Sequence, residues 1–209
     1  MLFLRGVVTR VAKLWDNALY FLERSSFPPS TLYLFFPFVH DAPSTRFFLK
    51  IAESLQAFSP LIVFTGVSRN EALRAAFDRY GTTLVMMRTF TPREFQKQAW
   101  HMTRLLRTLQ GTERAFVLGV ASKAFYRTVL PNKREEMSCW DVLPWPYPLS
   151  PMDHALYLDG RVVLDEAVSA ALSPQEKTNV HVVAGSRLGE FLYEAATKFF
   201  AKEVKEVKL

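Results

Sequence analysis

The residue types that usually do chemistry are few in this chain. It holds one cysteine, Cys139, and four histidines, His40, His101, His154 and His181. A single thiol excludes an internal disulfide, a CxxC redox pair and a cysteine-rich zinc site. The histidines lack metal-ligand spacing, so no metal site is expected. His40 and Asp41 are chain neighbours on an expected turn, where side chains seldom face each other, which argues against an acid–base pair. Gly185-Ser186-Arg187-Leu188-Gly189 precedes an expected helix but lacks the fuller pattern of a nucleotide loop, so it reads as a helix cap. The chain is expected not to be an enzyme, with no cofactor and no small-molecule substrate.

The strongest constellation is cationic. Arg93, Lys97, His101, Arg104 and Arg107 recur at spacings of four, four, three and three, which sets them along one side of a helix. Phe95, Ala99, Met102, Leu106 and Leu109 occupy another side, and Glu94 is the helix's one acid. Such a stripe can follow a phosphate backbone, because each Lys or Arg neutralises a phosphate and releases counterions. Arg5, Arg10 and Lys13 form a second candidate group for RNA contact.

The charge is unevenly distributed along the chain. Residues 31–111 carry ten Lys or Arg against five Asp or Glu, while residues 112–209 carry twelve against thirteen. With four against two in residues 1–30, the whole excess of a chain at net +6 lies before residue 112. A basic half joined to a neutral half suits a protein with nucleic acid on one side and protein on the other. Eighteen phenylalanines in 209 residues exceed what one core can hide, so some aromatic surface is expected to meet partners. No apolar run approaches the roughly 20 residues that span a bilayer, so no membrane insertion is expected.

Elements must hold these groups in place. Arg5, Arg10 and Lys13 with no acid before Asp16 resemble a mitochondrial targeting segment, and apolar residues at helical spacing predict a helix from about Thr9 to Arg24. Thr31–Val39 is an apolar, strand-length run like a central strand covered on both faces. A helix over Ser44–Phe58 and a second buried strand, Leu61–Thr65, complete a parallel βαβ unit. Tyr80-Gly81-Thr82 followed by Thr83–Arg88 reads as half of a hairpin. Thr91, Pro92 and Glu94 form a capping box for a helix ending at Gly111. Ala115–Leu130 reads as helical and Pro131–Pro151 as an extended, aromatic, proline-rich connection. In that connection Trp140, Trp145 and Tyr147 are candidates for protein contact. Asp159-Gly160 signals a hairpin, an apolar run follows at Val180–Ala184, and a last helix begins near Leu188.

Residues 31–111 resemble the small thioredoxin-like domain shared by one protein of each mitochondrial ribosomal subunit and an accessory subunit of respiratory complex I. The matching features are strand Leu32–Phe38, Ser44-Thr45-Arg46-x-Phe48-Leu49, Phe58-Ser59-Pro60 before the next strand, Tyr80-Gly81, and Phe90–Phe95. The position that holds sulfur in a redox thioredoxin falls in His40–Ser44, which has none. The resemblance implies an α/β fold, a thioredoxin-like mixed sheet flanked by helices. Residues 1–30 would be an N-terminal basic helix, 31–111 the thioredoxin-like domain and 112–209 a C-terminal α+β extension. The helix before the first strand and the run Trp100–Gly111 look most like the large-subunit member. A structural constituent of the large mitochondrial ribosomal subunit, in the matrix, is therefore expected. Its partners would be ribosomal RNA, through Arg46 and the two basic groups, and neighbouring ribosomal proteins. A complex I accessory subunit and a small-subunit ribosomal protein are the alternatives.

Overall fold

The computed structural model describes residues 30–40, 42–144, 157–172 and 179–201. The expected helix over Thr9–Arg24, with Arg5, Arg10 and Lys13, lies outside them, as do Trp145, Tyr147 and His154.

Leu32–Phe36 (β1) is buried at every position, as a strand covered on both faces must be. The helix Ala42–Ser54 (α1) presents Phe48, Ile51 and Ala52, with Leu55 just beyond, at the spacing of one helical face. A turn of 3-10 helix and Ser59, held left-handed at φ 48°, stop the helix before Pro60. Leu61–Phe64 (β2) then runs parallel to β1.

Residues Glu71–Ala75 (α2) and the 3-10 turn Ala76–Arg79 are helical, with Phe77 buried between Phe36 and Phe64. They lead into Thr82–Val85 (β3), which lies parallel to β2. The helix Pro92–Gly111 (α3) returns across the sheet to Ala115–Val120 (β4), and β4 pairs with the other side of β1. A π-helical turn, Phe125–Val129, precedes Met137–Leu143 (β5). Gly160–Val163 (β6), Glu166–Ala171 (α4), Val180–Val182 (β7) and Leu188–Ala201 (α5) complete the order.

The seven strands form one sheet in the order β3-β2-β1-β4-β5-β6-β7, with every pairing parallel. The winding direction reverses between β1 and β4, which defines a doubly wound α/β sheet. The helices change face with it. α1 and α5 pack with Leu32, Leu34 and Phe36 on one face, while α3 and the π-helical turn pack with Tyr33, Phe35 and Val117 on the other.

Three expectations are corrected. The sheet is all parallel rather than mixed, and neither glycine signal makes a hairpin. A Cβ on Gly160 would collide with the Trp140 ring, and one on Gly81 with the carbonyl oxygen of Pro60. None of the described glycines has positive φ. Both glycines thus mark close approach rather than chain reversal. β4, which begins at Ala115, sits beside β1 inside the same sheet. Ala115–Val120 is strand rather than helix because a run apolar on both faces carries no period to tell the two apart.

Inside the second half, Asp141 of β5 and Arg161 of β6 are register partners and both are fully buried. Arg161 Nη2 donates to Asp141 Oδ2 at 2.7 Å, its Nε donates to both carboxylate oxygens, and Tyr126 Oη donates to Oδ2 at 2.7 Å. Burial first, then the Asp141 charge, pushes the Tyr126 phenol well above its ordinary range. Arg161→Met leaves Asp141 as a buried charge without its cation and is expected to lower the unfolding free energy by roughly 3–5 kcal/mol. The combined variant Tyr126→Phe, Asp141→Leu, Arg161→Met should lose far less in urea denaturation. Equal losses from the two variants would contradict this account of the network.

Candidate nucleic-acid interface

Among the described residues β3 is an edge strand, and the start of α3 and the loop before it lie beside it. The start of α3 is fixed locally. Thr91 Oγ1 accepts the Glu94 N–H at 3.3 Å and Pro92 occupies the first turn. Glu94 reaches back, its Oε2 accepting the Arg88 N–H at 2.9 Å, and its other oxygen lies 3.7 Å from Lys97 Nζ. The loop Arg88–Thr91 is therefore tied to the helix it enters. The Arg88 N–H, with a smaller contribution from Lys97, holds the Glu94 carboxyl below its ordinary range.

Arg93 and Lys97 are exposed along this helix. His101 is half-buried, and burial, with Lys97 and Arg104 beside it, lowers its pKa, so the imidazole is neutral at neutral pH. Arg104 departs from the expected stripe. It is 5% exposed, and its guanidinium lies 4.4 Å over the Trp100 ring. Arg107 is half-buried. The helix buries Met102, Leu105 and Leu109 against the sheet, while Phe95 and Ala99 face solvent. A face drawn from spacing alone had merged two neighbouring sides.

The fold replaces the buried arginine with cations that sequence spacing does not reveal. Arg74 from α2 and Arg88 from the β3–α3 loop join Lys97 and His101 around a depression of about 360 Å³ beside β3. Arg74 Nε donates to Glu71 at 2.6 Å, and its Nη1 donates to Thr83 Oγ1 at 3.4 Å. Arg69 and Arg79 are exposed on the same half of the sheet. Arg46 is exposed on α1, in the helix layer opposite α3, so the structure does not bring it to this group.

Trp140 lies in β5 rather than in an extended connection. Its ring stacks on Phe116 at 6.3 Å and on His181 at 5.5 Å, on the wall of an open cavity of about 570 Å³. Cys139, on the same strand, is buried, which pushes its thiol up to about 12.

Doubly wound sheets hold ligands beyond the carboxyl ends of the strands where the winding reverses. Here that place is occupied by loop-tying hydroxyls. Thr65 Oγ1 donates to the Phe36 carbonyl at 3.1 Å and lies 3.2 Å from Ser122 Oγ. Ser68 Oγ accepts the Val39 N–H, and Ser122 Oγ accepts the Phe125 N–H. Ala121, at φ 47°, turns the chain from β4 into the following helix without a glycine. The β1–α1 turn contains no glycine either, so it lacks the residues that let a backbone approach a pyrophosphate. No group of three His, Cys, Asp or Glu is placed to hold a metal among the described residues. Among them, too, no helix is long and apolar enough to cross a membrane.

The chain is thus a doubly wound parallel α/β protein with a basic flank along β3 and α3. No family model, no curated protein and no solved structure matches it.

Glu94 contributes stability where it is ionised, above its ordinary pKa, and that contribution is lost as pH falls through the lower folded value. Glu94→Gln is therefore expected to unfold at lower urea concentration than the parent protein at neutral pH, with the gap narrowing as pH falls below the ordinary carboxylate range. A gap that persists in acid would show that the carboxylate charge is not what holds the loop.

Proposed function

We propose that this protein is a non-catalytic structural constituent of the large mitochondrial ribosomal subunit. In this reading the β3 side of the sheet faces ribosomal RNA and the β7 side faces neighbouring ribosomal proteins. The observation that carries the reading is the separation of charge in space. The order β3-β2-β1-β4-β5-β6-β7 puts the strands of residues 31–111 in one lateral half of the sheet and the later strands in the other, with α5 packed on α1 across them. Ten of the chain's Lys and Arg against five acids belong to residues 31–111. Arg74, Arg88, Arg93 and Lys97 among them lie on the flank along β3 and α3, while Arg46 is in the opposite helix layer and Arg104 is buried. That flank is suited to contacts with phosphate oxygens, which position a protein on RNA without reading its sequence.

The mitochondrial location is supported by Arg5, Arg10 and Lys13 ahead of the first acid. Within the family that residues 31–111 resemble, the large subunit is favoured by the expected helix before the first strand and the run Trp100–Gly111, which look most like the large-subunit member. The absence of sulfur in His40–Ser44 supports a role without disulfide chemistry.

Sedimentation of mitochondrial extract with and without ribonuclease tests the assignment. The chain should migrate with large-subunit RNA and shift to light fractions after digestion. Migration with NADH dehydrogenase activity, unchanged by ribonuclease, would refute it. Replacing Arg74, Arg88, Arg93 and Lys97 by Gln should release the chain from the subunit at lower salt than the parent, while replacing Lys198 by Gln should not.

A further inference from the structure

We infer that the basic flank binds single-stranded RNA, with unpaired bases stacking on Phe90 and Phe95 while Arg88, Arg93 and Lys97 hold the phosphates. This inference rests on the RNA reading above and narrows it to one form of RNA. Among the described residues six large hydrophobic side chains are exposed, and three of them, Phe38 (37%), Phe90 (67%) and Phe95 (51%), belong to the basic half. Their backbone positions are linked through the strand ends. The Gly66 N–H donates to the carbonyl of Pro37, next to Phe38, and Gln98 Nε2 donates to the Thr65 carbonyl at 2.6 Å. Gln98 lies one turn after Phe95 on α3, so the loop after β1 and the start of α3 meet at the end of β2. Phe38 stacks on His40 with ring centroids 4.2 Å apart, which fixes one flat surface there.

Scattered single hydrophobic residues on a surface are ordinary, whereas here Phe90 in the loop and Phe95 in the first turns of α3 share one short stretch of chain with three cations. Arg88, Phe90, Arg93, Phe95 and Lys97 are all exposed. The one acid among them, Glu94, already has the Arg88 N–H and Lys97 as partners. The stretch therefore offers π-faces for bases within a positive field, the combination that single-stranded nucleic acid requires. A duplex cannot use the rings, because its bases are stacked and paired inside the helix. A protein partner could cover the rings, but it would also have to match a positive rim with acids. The flanking charge favours RNA.

The test uses the full chain and fluorescence anisotropy with a fluorescein-labelled oligouridylate of ~12 nucleotides and an RNA duplex of the same length. The single strand should bind about tenfold or more tightly than the duplex. Phe90→Ala with Phe95→Ala should weaken single-strand binding about tenfold or more while leaving the salt dependence unchanged, and Phe95→Trp should retain affinity. Arg88→Gln with Arg93→Gln should lower the slope of log affinity against log salt by about 0.7 for each cation removed. Unchanged melting temperatures are expected, since these side chains are exposed. Equal binding of both RNAs with no effect of the phenylalanine substitutions would overturn the stacking inference and leave the RNA reading standing. No binding of either RNA would overturn both.

Discussion

The reversal of the sheet between β1 and β4 is the constraint on which the other features depend. After β3 the chain has reached one edge, and the next strand must pair on the free side of β1 to keep the hydrophobic surfaces covered. A right-handed crossover then puts the connecting helix on the opposite face from α1. α3 is long enough for this, since 20 residues of helix span about 30 Å. Its end is secured by Arg134, whose Nη2 donates to the carbonyls of Leu109 and Thr112. Once the helix is placed there, its first turns overlie the ends of β2 and β3, and the cations in that stretch have nowhere to lie but the β3 flank.

The same constraint explains why an asymmetry in the linear sequence survives folding. In a sheet whose strands interleave early and late segments, ten cations near the start of the chain would be spread over the whole surface. Here early and late strands occupy separate halves. Among the described residues the positive half ends at the edge strand β3, and the neutral half carries the buried Asp141–Arg161 pair and a Trp140-centred aromatic cluster. Repulsion among the surface cations is moderated by local partners, with Glu71 on Arg74 and Glu94 between Arg88 and Lys97.

Elements with a strong local signal were legible before folding was considered. The capping box at Thr91, the apolar strand Leu32–Phe36 and the helix from Leu188 match the structure to within a few residues. Elements defined by burial on two faces were not, because Ala115–Val120 is uniformly apolar and uniformly buried. Strand direction was the other failure. Asp159-Gly160 has the composition of a tight turn, yet Asp159 accepts the Cys139 N–H and the Lys133 ammonium while Gly160 makes room for an indole. At the candidate interface, Arg93 and Lys97 were readable from helical spacing. Arg74 and Arg88 were not, since only the sheet order brings them to α3. Arg104 was misplaced because a cation's spacing does not show that an adjacent tryptophan will shelter it.

Ultraviolet crosslinking of the assembled particle, followed by mass spectrometry of the peptides that carry nucleotide, gives the most direct measure of whether charge separation sets the orientation. Crosslinks should concentrate in residues 69–107, with aromatic adducts at Phe90 and Phe95. Crosslinks confined to β5, β6, β7 and α5, or a particle that yields none on this chain, would contradict the account.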